Sequence, residues 1–248
     1  MDIGTSRVLH AGLHKTGSTF LQNKLFPNLE EVYYMGGSVN LTKVEPMSGR
    51  RLVVYSSEAA CGYPYPVAEK FSTSRLAACV KVLGIDKVFI VNREFYSWCL
   101  SLYFQTLNEG FFWSLQDFID SNRDNLFSWE CASNSIASWC EEAGLEVHCE
   151  SYEDLCSDPD AAIKRICHFI GVAPVNVQLS RENSSKYGNV TLMTYRVLNY
   201  LCRPSLVSRF VRWTRLTPRR LLCGRFGDFL EKCSFKCLSV DDVKKVMS

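Results

Sequence analysis

No stretch of about 18 apolar residues occurs in this 248-residue chain, so nothing in it predicts a membrane-spanning helix. There is no C-x-x-C pair among its 12 cysteines, and although Cys233 and Cys237 lie four apart, no His or Cys pair at zinc spacing accompanies them. No metal site is expected. Nor is a leader expected, because a glycine-containing motif begins only about ten residues from Met1. The cysteines therefore read as free thiols in a reducing cytoplasm, most of them small buried apolar residues. Internal repeats, low-complexity tracts and long linkers are also missing, which predicts a single domain over residues 1–248. With 47% hydrophobic and 22% charged residues the chain falls among globular proteins, long enough for a sizeable core. One further absence is local. From Asn183 to Gly227 there is no Asp or Glu, while Lys186 and eight arginines between Arg196 and Arg225 fall inside. This basic part, from about residue 190, carries Leu206, Phe210 and Val211 at helical spacing. Contact with an anionic lipid surface and binding of an acidic glycan are both compatible with it. The simpler reading is a solvated helix whose arginine stems cover apolar surface.

What is present alternates. Apolar runs at Arg7–His10, Val32–Met35, Leu52–Ser56, Lys87–Asn92 and Leu145–Cys149 predict strands. Helical patterns follow several of them: Phe20, Leu21 and Leu25 before Pro27, then Ser74–Leu83 ending at Gly84, Glu94–Leu107, and Asp160–Ile170 closing at Gly171. Strands alternating with helices predict a parallel sheet covered on both faces. In such a sheet ligands collect at the carboxyl ends of the strands.

The first strand runs into "RVLHAGLHKTGSTFLQ", residues 7 to 22. Gly12 and Gly17 permit a tight wrap, Thr16, Ser18 and Thr19 add hydroxyl donors, Lys15 adds a charge, and a helix begins immediately. This reads as an anion-binding arrangement, with a capped strand–helix turn carrying an incidental lysine as the alternative. Lys15 stands between the glycines, whereas an ATP-binding loop carries its lysine directly after the second glycine. The fourth strand runs into "KVFIVNREFYSWCLSLYF", with Arg93 just past its end and Ser101 eight residues on, about two helical turns. An arginine fork and a helix hydroxyl make a second anion clamp.

These two motifs together resemble those of sulfotransferases that use 3′-phosphoadenylyl sulfate (PAPS). "GLHKTGSTFLQ" resembles the family's 5′-phosphosulfate loop and "VNREFYSWCLSLYF" its 3′-phosphate motif. "CESYEDLCSDPDAAIKRICHFIGV" and "SRENSSKYGN" resemble its later strand–turn–helix and nucleotide-contact segments, so that the likeness spans residues 7 to 195. Glu-Phe follows Arg93 in place of the more usual continuations, and the long Gly-rich C-terminal motif of cytosolic animal members is absent. Those departures favour a bacterial or carbohydrate-type member.

The resemblance implies an α/β, three-layer, P-loop-like fold with a mostly parallel central sheet flanked by helices. It implies PAPS as co-substrate and adenosine 3′,5′-bisphosphate (PAP) as product, without a metal. It makes Lys15 the group bridging the 5′-phosphate and the departing sulfuryl group. Thr16, Gly17, Ser18 and Thr19 would hold the 5′-phosphate, Arg93 and Ser101 the 3′-phosphate, and Asn183 and Ser184 would close over the nucleotide.

An acceptor hydroxyl needs a general base. Glu58, just past the third strand in "VVYSSEAACGYPYP", is the first candidate, with His10 a rival and His14 a weaker one. Capping of a following turn is the alternative role for Glu58. His148 and His168 read as structural. The aromatic segments 61–66 and 108–118 read as loops able to face a sugar ring or planar molecule, or else as core. The expected partner is a small-molecule or glycan acceptor and no nucleic acid. Two other classes are weighed: a P-loop kinase-like phosphotransferase, which would need Mg²⁺, and a nucleotide-binding module without catalysis.

Overall fold

The structure, a computed structural model, describes residues 6–36, 52–62, 70–177, 193–194, 196–197 and 238–248. Asn183, Ser184 and most of the arginine-rich segment lie outside these. Five strands form one sheet: β1 (Ser6–Ala11), β2 (Tyr33–Met35), β3 (Leu52–Ser57), β4 (Lys87–Asn92) and β5 (Glu146–Ser151), in the order β2-β3-β1-β4-β5. Each neighbouring pair is parallel, with Ala11 opposite Ser57 and Asn92 opposite Ser151. The fold is therefore α/β with an all-parallel central sheet flanked by helices.

The helices are α1 (Ser18–Phe20), α2 (Thr73–Leu83), α3 (Phe95–Asn108), α4 (Leu115–Glu130), α5 (Ala132–Glu142), α6 (Tyr152–Ser157), α7 (Pro159–Ile170) and α8 (Val240–Met247). α1 continues as a wide π-helical stretch, Leu21–Leu25, and a final 3₁₀ turn, Phe26–Asn28. Two compact units are present: residues 1–64, 68–95 and 124–181, which hold the sheet, and residues 65–67, 96–123 and 182–248.

The central strands are apolar on both sides because both faces are covered. Val8, Leu52, Val54, Phe89 and Val91 join a core cluster with Leu21, Leu25 and Phe26 of the first helical segment and Ile163, Ile166 and Ile170 of α7. The alternate residues Leu9, Val53, Val88 and Ile90 are equally buried, and α2 packs on β1 and α5 on β4.

Local signals explain the helix ends. Ser72 Oγ accepts a bond from Ser74 N at 3.2 Å to start α2, and Gly84, at φ 61°, ends it. Asp158 accepts from Ala161 N at 3.1 Å ahead of Pro159, and Gly171 closes α7. Ser151 likewise caps α6, so "YEDLCS" is a short helix where a turn was expected.

In the second unit, segment 108–118 is not wholly loop, since α4 already begins at Leu115. The Phe111 and Trp113 rings meet at a tilt with centroids 4.9 Å apart, and Tyr103 Oη donates to the Trp113 carbonyl at 3.1 Å. α8 opens with a reciprocal Ser239–Asp242 capping box and ends with its Val246 and Met247 carbonyls accepting from Arg123.

Candidate active site

Parallel strands put their carboxyl ends at one edge, and in the first unit four of those ends lead into candidate site residues or their supports. β1 ends at Ala11 and leads into the loop His14–Gly17. Next to it β3 ends at Ser57, followed by Glu58; on the other side β4 ends before Arg93, and β5 before Tyr152. Gly12 N donates to the Ser57 carbonyl at 3.1 Å, carrying the β1–β3 pairing into the loop.

The loop is tightly specified. Lys15 holds φ at 65°, a left-handed conformation that a side chain rarely adopts, and Gly17 follows at φ 87°. Thr16 is buried and donates its hydroxyl to the Leu13 carbonyl at 2.5 Å. Arg93 Nη1 donates to the Lys15 carbonyl at 2.9 Å, and its guanidinium lies over the Tyr152 ring at 4.5 Å. Burial lowers the Arg93 pKa from its usual value, yet an arginine stays charged. Behind Gly17 stand Tyr152 and Leu155, which an added Cβ would meet at 3.4 Å. Arg93 and the start of α6 thus hold the loop from outside.

Gly17 caps α1 with no side-chain hydrogen bond, and the first N–H groups of a helix have no acceptor of their own within it. Ser18 is buried at that terminus, and its Oγ makes no well-formed hydrogen bond among the described residues. Thr19 is exposed. The helix start and the Ser18 hydroxyl, which also faces Glu58, can offer donors to cradle a tetrahedral anion, with Lys15 next to them in the loop.

Beside the cradle lies Glu58. A Cβ on residue 12 would come within 2.8 Å of Ser18 Oγ and 3.3 Å of both Glu58 Cγ and His10 Cε1, so only glycine leaves room for the three to converge. His14 Nδ1 lies 3.3 Å from Glu58 Oε2. Burial pushes the Glu58 pKa up, but the hydrogen bond and charge of His14, with smaller help from Ser18 and His10, outweigh it and hold the carboxyl below its ordinary value.

His10 is fully buried in β1. Its Nδ1 is 2.7 Å from Ser56 Oγ, which also accepts from Gln22 Nε2 at 2.9 Å, and its ring packs on Phe26 and Phe89. Desolvation lowers its pKa to about 4, against a small opposing effect of Glu58. Its Nε2 has no hydrogen-bond partner among the described residues.

The structure thus gathers Lys15, Thr16, Gly17, Ser18, Glu58, His10 and Arg93 at one edge. Ser101 is half-buried on α3 and belongs to the second unit. His148 stacks on Phe89 and Phe169 and joins Glu150, and His168 is exposed in the last turn of α7.

Sequence reading missed Tyr152 and Leu155 as the support of Gly17, and the pairing of His14 with Glu58. The first was findable only once β5 was known to end beside β4. The second needed the loop's own path.

Among the described residues no group of three or more His, Cys, Asp or Glu is placed to hold a metal ion, and no helix is long and apolar enough to cross a membrane. No family model matches the sequence, and no curated protein does. Among solved structures the chain is similar to the crystal structure of a sulfotransferase from Alicyclobacillus acidocaldarius, with a TM-score of 0.52 and 14% identity. That likeness covers 86% of this chain and 97% of the other. What the two share is the fold.

Proposed function

We propose that this chain is a sulfotransferase, moving a sulfuryl group from PAPS to a hydroxyl or amine of a carbohydrate or small-molecule acceptor. The observation that carries the reading is the convergence at one sheet edge of an uncapped helix start, a half-buried arginine clasping the loop and a paired carboxylate. The cradle suits the 5′-phosphosulfate end. Its hydroxyl at Ser18 and the uncapped helix start offer donors. Arg93, with Ser101, is proposed to hold the 3′-phosphate; Asn183 and Ser184, outside the described residues, to close over the nucleotide.

In the transfer, Glu58 accepts the proton of the acceptor hydroxyl as its oxygen bonds to sulfur. The bond from sulfur to the 5′-phosphate oxygen breaks, and the electron pair stays on that oxygen. Lys15 and the helix start meet the charge that grows there. Glu58 is preferred to His10 as base because its carboxylate reaches solvent, whereas His10 has no exposed surface.

Thermal shift with separate nucleotides tests the reading. A ligand at about 100 times its Kd adds roughly 2.7 kcal/mol to stability. PAP should therefore raise the unfolding temperature more than ADP or ATP, without added metal. Labelled PAPS offered to acceptor pools should then yield a sulfated product. Equal stabilisation by PAP and ADP, or a strict need for Mg²⁺, would move the assignment to a phosphotransferase. PAP binding without any transfer would leave a nucleotide-binding module.

A further inference from the structure

Glu58 and His14 face the same space, but they are not equally placed to act. The Glu58 side chain is 34% exposed and that of His14 only 8%. A substrate arriving from solvent meets the carboxylate, while the imidazole is walled in behind it. We propose that His14 is a positioning residue: from within the anion loop its Nδ1–H holds Glu58 Oε2, leaving the carboxylate's other oxygen to take the acceptor's proton. The inference rests on the sulfotransferase reading and adds a role to a residue outside the transfer chemistry itself.

The geometry gives that role a purpose. Glu58 follows β3, in a turn whose anchor to β1 is the Gly12 N–H to the Ser57 carbonyl. A glutamate has three side-chain torsions, and fixing one carboxylate oxygen removes much of that freedom. His14 precedes Lys15 directly, and the Lys15 carbonyl is held by Arg93. The base is thereby tied to the same loop that holds the anion, so the distance between proton acceptor and leaving group does not depend on the β3 turn alone.

The other groups facing the carboxylate are His10 and the Ser18 hydroxyl. His10 is buried and neutral at pH 7, and the Ser18 hydroxyl has a smaller effect on the carboxylate than His14, which leaves His14 as its main partner. In the reaction the acceptor's O–H pair becomes the new O–S bond, the S–O bond to phosphate breaks, and the proton rests on Glu58. His14 keeps its own Nδ1 proton throughout.

The test uses His14→Ala and His14→Asn, with [³⁵S]PAPS as donor and water and 4-nitrophenol as the acceptor probes. His14→Ala should bind PAP normally yet lower kcat about 10-fold or more. The acid limb of its kcat/KM profile should move to higher pH, because the bond that holds the Glu58 pKa down is gone. In His14→Asn a side-chain N–H stands close to where Nδ1 was, and most of the rate and the original limb should return. A His14→Ala protein with wild-type rate and an unmoved limb overturns the positioning role. So does a His14→Asn protein as inactive as Glu58→Gln, since the imidazole would then carry the proton itself. Absence of all transfer by the wild type overturns the sulfotransferase reading and this role with it, whereas transfer by a wild type indifferent to His14→Ala overturns this role alone.

Discussion

Lys15 concentrates the conflict between stability and chemistry in one backbone position. Its φ of 65° places a side-chain-bearing residue in the left-handed region, at a cost of about 1–2 kcal/mol. The surroundings support it: Arg93 grips the carbonyl, and Tyr152 and Leu155 stand behind Gly17. Glycine adopts this conformation freely and alanine does not. Lys15→Gly and Lys15→Ala both lose the ammonium, so on the proposed function both should lower sulfuryl transfer by a factor on the order of 10² or more. They should differ in stability. Lys15→Gly should unfold roughly 2–4 °C above Lys15→Ala, about 1 kcal/mol for a chain of this size. Equal unfolding temperatures in calorimetry would remove strain from the account.

At the scale of elements, most of the sheet was legible because buried parallel strands are continuous apolar runs. The predicted Lys87–Asn92 is β4, and the other four strands lie within two residues of their predicted ends. α2 and α7 announced themselves through capping residues and terminal glycines. α4 and α5 did not. "LQDFIDSNRDNLFSWE" is rich in Asp, Asn and Ser, which favour turns when read locally, although Leu115, Phe118, Ile119, Asn122, Leu126 and Trp129 keep helical spacing and are buried. Tertiary burial decided what local propensity did not.

The packing of α7 on β5 has its own polar anchor. Glu150 is 2% exposed, and Arg165 meets it with two bonds, Nη2 to Oε1 at 2.6 Å and Nε to Oε2 at 3.1 Å, while His148 adds a third contact. Arg165→Ala strands a buried carboxylate and should cost about 2–4 kcal/mol in denaturant unfolding. Adding Glu150→Leu should recover most of it, because the pair's desolvation cost disappears with its attraction. A single Arg165→Ala variant within about 0.5 kcal/mol of the wild type would show that Glu150 needs no partner.

For the whole molecule the buried histidine sets a pH limit. His10 has a pKa of about 4 in the folded protein and about 6.5 when unfolded. The unfolded chain therefore binds more protons between these values, and stability falls as pH drops from 6.5 towards 4. The slope approaches 1.4 kcal/mol per unit, and the full loss is about 3 kcal/mol. His10→Phe should flatten that part of the stability curve, measured by urea unfolding at successive pH values. An unchanged slope would assign the acid sensitivity to other groups. The same residue shows where sequence reading stopped. His10, Glu58 and Arg93 were all legible as strand-end residues, because the strands ended where the apolar runs did. Burial separates His10 from the other two, and burial depends on Phe26 and Phe89, distant in sequence and brought together only by the sheet order.

The grip of Arg93 on Lys15 also dictates an order of events during synthesis. The glycine loop leaves the ribosome early, but its carbonyl clasp lies 78 residues downstream, and the Tyr152 and Leu155 wall behind Gly17 follows later still. A nascent chain that has exposed only β1, the loop and β3 owns every residue of the anion cradle and none of its outer supports. On the proposed function, a nucleotide would have no finished cradle to bind until the segment through Leu155 has emerged and β5 has docked. Under that reading, PAP added to a truncated chain ending before Arg93 should give no stabilisation. Stabilisation by PAP would be expected only in chains that reach past Leu155, when most of the sheet is already in place.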